Sequence, residues 1–351
     1  MFMNQKKRLL GIDLCRGIAA YAVILVHSGD ETWGVPVDPW ADYFRLSFYF
    51  AVPFFLITSF YFIACKPNTG FSPNFWKSRL ERLVIPYLIW SLIYLVLRLV
   101  FFWKANQSER LNQLTQDPLS LVFFGGTSFH LYFLPLLFVG SFLIFFIKYF
   151  LNQPFKTKQL IIFSILSIIV YELVIVPGDT IQASTDINPL IRLVLVYAVW
   201  VLKCLPYFLT AIILRCIFLI KGDSWLFSRK SSIVLVAIFF ITTIMGRLVL
   251  PVTLRDLIVA HSLFLFGISV SQYIKGNKQI VANLGLCAFG IYLIHPILMN
   301  FAKLFFSLFG VIEQVTISSL LIISVTTFLL SWIVVALMLQ HKWSAKYLFG
   351  V

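Results

Sequence analysis

Charge is scarce in this sequence. Only 12% of its 351 residues are Asp, Glu, Lys or Arg, against roughly 25% in a soluble domain. So few charges cannot cover the surface of a globule in water, which excludes an ordinary soluble domain. Cysteine is thin as well. The five present (Cys15, Cys65, Cys204, Cys216 and Cys287) show no paired or metal-like spacing. They read as small apolar residues, and neither a disulfide framework nor a metal site is expected. No polar stretch is long enough for a water-soluble module, the longest being about Lys104–Ser128. No internal repeat or low-complexity tract is visible, so an inverted-repeat transporter gains no support.

Apolar residues fill the space that charge leaves. They make up 60% of the chain, and the mean hydropathy is +0.93. A membrane helix needs about 20 mostly apolar residues, because the hydrocarbon layer is roughly 30 Å thick and a helix rises 1.5 Å per residue. Runs of that kind lie near 10–28, 40–64, 82–103, 129–150, 159–177, 197–220, 231–250, 255–274, 285–308 and 316–340. They are continuous rather than alternating, which favours helices over a β-barrel. The expected fold is an all-α, polytopic membrane bundle of about ten transmembrane helices. It forms a single membrane domain over 1–351, with no fused extracytoplasmic domain. The stretch Pro189–Ile220 is too long for one upright span: it is either a tilted helix or a re-entrant piece ending near Pro206.

The net charge of +14 suggests nucleic acid until its distribution is read. Basic residues cluster on alternate loops: Lys6, Lys7 and Arg8, then Lys66, Lys77 and Arg79, then Lys148, Lys156 and Lys158. Lys221, Arg229 and Lys230 follow, then Lys275 and Lys278, and finally Lys342 and Lys346. The other loops carry Asp30, Glu31, Asp38, Glu109, Asp117, Asp179, Asp186 and Glu313. Short cytoplasmic loops are the ones enriched in Lys and Arg, so both termini are expected in the cytoplasm and no nucleic-acid partner is expected. Asp13 and Arg16 interrupt the first apolar run, and no small-residue cleavage site follows, which argues against a cleaved signal.

Ionisable side chains at membrane depth are costly, and each is a functional candidate by default. Arg16 and His27 are eleven residues apart. Eleven steps of 100° return to within about 20° of the start, so one helix face carries both, roughly 16 Å apart along the axis. Asp13, Asp30 and Glu31 lie close to them in sequence. Glu172 stands in the apolar fifth run, where an unpaired carboxylate is expensive. His261 reads as a satisfied core histidine.

Four segments resemble a known family. GIDLCRGIAAYAVILVH is similar to the opening helix of the acyltransferase-3 family, with Asp13, Arg16 and His27 at matching positions. RLERLVIPYLIW places Arg79 and Arg82 on the family's Arg-x-x-Arg. FHLYFLPLLF, with His130, resembles its His-Leu-Trp-Phe-Leu stretch, Tyr132 standing in for Trp. LGLCAFGIYLIHP, ending in His295 and Pro296, is close to its C-terminal motif. One departure is Thr58-Ser59-Phe60, where the family has Ser-Gly-Phe.

The resemblance implies an acyl-CoA-dependent transferase in the bacterial inner (plasma) membrane. Its donor would be acetyl-CoA or another short acyl-CoA, succinyl-CoA included, and its acceptor an envelope carbohydrate or glycolipid outside the cytoplasm. Arg16, Arg79 and Arg82, with Asp13 beside them, would grip the coenzyme A phosphates. His27 would act as general base or briefly carry the acyl group. Asp30 and Glu31 would orient its ring or simply line the outer loop. Glu172 would line the acceptor site, and His130, Tyr132 and His295 would contact the acceptor. Membrane lipid is the surrounding partner, and a homo-oligomer is possible. A transporter or flippase is the alternative from another class.

Overall fold

The computed structural model describes residues 8–29, 35–66, 72–107, 109–110, 112, 116–146, 157–176, 187–276, 278–308 and 314–351. Among these residues there is no β-strand, only an isolated bridge between Val37 and Val315. Ten helical stretches among the described residues are long and apolar enough to cross a membrane. They match the ten runs expected from the sequence, with differences at three places.

The helices are α1 (Leu10–His27), α2 (Pro39–Leu46), α3 (Ala51–Ala64), α4 (Pro73–Arg79) and α5 (Ile85–Lys104). Next come α6 (Pro118–Phe123), α7 (Phe133–Gly140), α8 (Thr157–Val170) and α9 (Pro189–Lys221). The last are α10 (Arg229–Val249), α11 (Val252–Val270), α12 (Lys278–Leu308), α13 (Ile317–Met338) and α14 (Lys342–Phe349).

The second span is broken between α2 and α3. Asp38 caps α2 by accepting from the backbone N–H groups of Trp40 (2.7 Å) and Ala41 (3.1 Å), and Pro39 fits the first helical position, where no N–H is needed. The third span joins α4 to α5 through a π-helical turn at Leu80–Val84. There the Ile85 N–H reaches back five residues to the Leu80 carbonyl, and Pro86 brings no N–H of its own. The sixth span, α9, is one continuous helix of 33 residues with Pro206 inside it. Its length, about 50 Å, exceeds the roughly 30 Å hydrocarbon layer, and it does not turn back at Pro206.

The chain forms two compact units. The first comprises Met1–Thr58 and Ile217–His341, the second Ser59–Cys216 and Lys342–Val351.

In the first unit α1 is the most enclosed helix, with Cys15, Ala19, Ala20, Ala22, Ile24 and Leu25 fully buried. Small residues make this possible, since they let helix backbones approach in a medium that gives no hydrophobic drive to associate. Any side chain at Gly11 would collide with the Gly267 carbonyl of α11, and one at Gly17 with Leu284 of α12. Paired contacts fix helix directions. Arg8 meets Ala282 and His27 meets His295, so α1 and α12 run parallel. Gly11 binds Ser271 and Cys15 reaches Leu263, so α11 is antiparallel to α1. Tyr21 meets Ser324 of α13, and Gly29 abuts Leu320, again antiparallel. Spans one and nine agree in direction, while eight and ten oppose them, as strict alternation through ten spans requires.

In the second unit Trp76 packs on Phe142 at 4.6 Å and Tyr94 meets His130 at 5.2 Å, so the third and fourth spans are antiparallel. The Tyr87 hydroxyl donates to the Val122 carbonyl at 2.8 Å and accepts from the Gly125 N–H at 3.0 Å. These bonds hold the segment around α6 against the start of α5. The C-terminal helix α14 docks on α5, where Trp90 Nε1–H donates to the Leu348 carbonyl at 2.9 Å.

Candidate active site

The two ends of α1 carry the first unit's candidate residues. At its start Asp13 is buried, with 3% of its surface exposed. A buried carboxylate must be paired. Arg8 bonds it through Nε, and Arg16, one helical turn on, approaches it with Nη1 at 3.6 Å. Arg8 also donates to the Ala282 carbonyl of α12 at 2.6 Å. Room for the carboxylate comes from α12, because a β-carbon at Gly285 would overlap the Asp13 carboxyl group.

The helix, 18 residues long, then runs unbroken to His27 at its end. Its ring stacks on that of His295, with centroids 5.8 Å apart and planes inclined by 25°. His295 is fully buried. Its Nδ1 lies 2.7 Å from the Tyr292 carbonyl. A carbonyl only accepts, so Nδ1 carries the proton, and in the neutral ring Nε2 carries the lone pair. The reason is local. Pro296 has no N–H to give to the carbonyl four residues back, which is that of Tyr292. His295 supplies the missing donor. The family-like sequence Tyr-Leu-Ile-His-Pro thus builds a histidine of fixed tautomer from its own helix defect.

Arg45 holds the same end of α1. It donates Nη1–H to the Val26 carbonyl at 3.1 Å and pairs with Asp42. This satisfies one of the carbonyls that a helix C-terminus leaves open. Neither residue stood out in the sequence, where no motif links the second run to the end of the first. Asp30 and Glu31 lie outside the described residues. His261 donates Nδ1–H to the Leu257 carbonyl at 2.8 Å. Its Nε2, however, is buried with no hydrogen-bond partner among the described residues, so the expectation of a satisfied core histidine is met at one nitrogen only.

The remaining candidates belong to the second unit. Arg79 ends α4 with its guanidinium 5.4 Å from the Phe75 ring centre, and Arg82 sits exposed in the π-helical turn. Gly350, at φ +63°, packs on the backbone of Arg82, where a β-carbon would stand 2.6 Å from its Cα. Glu172 occupies a second π-helical turn, Tyr171–Ile175. Such turns are rare and cluster at functional sites. His130 is buried, with Nδ1 3.0 Å from the Ser128 hydroxyl. Tyr132 closes the same 3₁₀ turn, Phe129–Tyr132. So the structure brings His27 to His295, and Arg8 and Arg16 to Asp13. Arg79, Arg82, His130, Tyr132 and Glu172 belong to the second unit. Among the described residues no group of three or more His, Cys, Asp or Glu side chains could hold a metal ion.

A family model described as an acyltransferase domain matches residues 9–336. Among curated proteins and among solved structures no match is found.

Proposed function

The chain belongs to the acyltransferase-3 family of membrane acyltransferases, and from that premise we propose that it transfers a short acyl group from acyl-CoA to a carbohydrate or glycolipid hydroxyl. Acetyl is the simplest donor group, with succinyl-CoA or another short acyl-CoA as variants. In this reading His27 takes the proton of the acceptor hydroxyl as the oxygen attacks the thioester carbonyl. The new C–O bond forms, the C–S bond breaks, and the coenzyme A sulfur leaves with the proton returned from the imidazolium. A brief acyl-histidine would serve equally, with the acyl carbon passing through the ring nitrogen.

The observation that carries this reading is the stacked pair of His27 and His295. A histidine in apolar surroundings needs its ring held and its charge tolerated, and a neighbouring imidazole of fixed tautomer supports both. Arg79 and Arg82 are proposed as the grip on the coenzyme A phosphates, since guanidinium forks match phosphate oxygens. Arg16, braced by Asp13, is proposed as a further phosphate contact. Glu172, His130 and Tyr132 are proposed on the acceptor side. The positive loops favour cytoplasmic termini, and with them an inner-membrane enzyme whose His27 lies toward the outer face.

The test is coenzyme A release from acetyl-CoA by purified protein in liposomes. Release by the wild-type protein and its loss in His27→Ala establish the reaction. Absence of turnover and of acyl-CoA binding in folded protein would overturn it in favour of transport.

A further inference from the structure

The first unit contains a large cavity on the side of α1 away from the histidines. Its volume is about 770 Å³, within the range of ligand sites. Leu14 and Ile18 of α1, Phe44 of α2, Phe240 of α10 and Phe266 of α11 line it. Ile18 and His27 are nine residues apart, which turns a helix by 900° and leaves them on opposite faces. Trp40, Phe240 and Ile244, also in the lining, are 74%, 55% and 53% exposed. In a membrane such exposure faces lipid, so the cavity opens sideways into the bilayer.

One end of this apolar space is polar. Thr243 lines the cavity and is 7% exposed, yet its Oγ1 is buried with no hydrogen-bond partner among the described residues. A threonine hydroxyl inside a helix ordinarily bonds back to the preceding turn, so an idle one is unusual. Thr243 also lines a small adjoining space of about 10 Å³, with Arg247, Arg255 and Asp256, room for about one oxygen atom. Arg247, one turn on from Thr243, lies over the Tyr43 ring at 5.7 Å. Its Nη1 is likewise buried without a partner among the described residues. Arg255 is occupied, donating to Asp256 at 2.7 and 2.9 Å. The pair cancels in charge and leaves Arg247 as the uncompensated cation of this pocket.

From this arrangement we infer that the cavity is a binding site for a phosphate-headed lipid. The hydrocarbon chain enters between α2, α10 and α11, and a phosphate oxygen sits between Thr243 Oγ1–H and Arg247 Nη1–H. The head lies at the membrane face shared with His27, because α10 ends and α11 begins there. The site lies on the face of α1 opposite His27 and does not depend on the acyl-transfer reading.

The test uses hexadecyl phosphate carrying a photoreactive diazirine near its chain end, and hexadecanol with the same label, on the purified full chain in nonionic detergent. Cross-links are mapped by mass spectrometry. The phosphate should label α10 and α11 cavity peptides about tenfold more efficiently than the alcohol, the factor that one charge-assisted hydrogen bond supplies. Arg247→Gln should abolish that preference, Arg247→Lys should keep most of it, and Thr243→Val should reduce it. Equal labelling by phosphate and alcohol in the wild type would overturn the proposal: the cavity would then hold bulk lipid chains, with a water on Thr243 and Arg247. Should Arg247→Gln not fold, the wild-type comparison and Thr243→Val decide alone. A preference undiminished in Thr243→Val and in any folded Arg247→Gln also overturns it.

Discussion

His27 and His295 face each other with ring centres 5.8 Å apart, and the second ring is locked by the Tyr292 carbonyl. If His27 is the base, His27→Ala should lower coenzyme A release by about 10²–10⁴-fold, the range typical of general base catalysis. His295→Asn keeps a side-chain donor for the Tyr292 carbonyl but removes the facing nitrogen, so it should fold and lose much of the activity. In a double-mutant cycle on transfer rates, the two losses should be clearly non-additive. Additive losses would mean that the rings act independently.

Pro296 offers a cleaner handle on the same pair. Pro296→Ala restores an N–H to the Tyr292 carbonyl and competes with His295 Nδ1. Removing proline from a helix interior is worth up to about 3 kcal/mol of helix propensity, so the thermal midpoint should hold or rise. Activity should nonetheless fall several-fold, and ¹⁵N histidine spectra should show His295 losing its single tautomer. Full activity with mixed tautomers would remove the tautomer from the mechanism.

The arginine grip makes a different prediction, read from KM rather than kcat. Arg79→Ala and Arg82→Ala should each raise KM for acyl-CoA by about tenfold or more while changing kcat little, as expected for a contact made equally in ground and transition states. Lysine at either position keeps the charge without the planar fork and should fall between the two. A selective loss of kcat with KM unchanged would move both arginines from binding to the chemical step.

The ten spans were legible because lipid allows no other way of hiding long apolar runs. Their ends were less so. The break after Leu46 falls inside one apolar run, where Ser47 turns its N–H and its hydroxyl back on the Tyr43 carbonyl, which a hydropathy window does not register. The single helix Pro189–Lys221 shows the opposite case, an interior proline that does not stop the helix. Within the candidate site, His27 and His295 were each visible as a histidine in an apolar run. Their pairing was not, because it arises from α1 and α12 packing in parallel at a register set by small residues such as Gly17. Asp13 and Gly285 are joined in the same way, through space that only a glycine leaves.

That last relationship yields a stability prediction. Gly285→Ala adds one methyl group at a position where it must collide with the Asp13 side chain, its β-carbon first and then its carboxyl group. Overpacking of this kind typically costs about 1–3 kcal/mol. The helix itself gains from the change, since alanine is favoured over glycine by up to about 1 kcal/mol, so a net loss would have to come from the clash. Asp13→Gly alone leaves Arg8 and Arg16 without their shared carboxylate and should also destabilise. Together the two changes remove the collision, because glycine at 13 has neither the β-carbon nor the carboxyl group that a β-carbon at 285 would meet, and the double variant should be more stable than the sum of the single losses implies. Thermal unfolding in detergent of all four proteins measures this coupling. Strict additivity would show that Gly285 is small for some reason other than making room for Asp13.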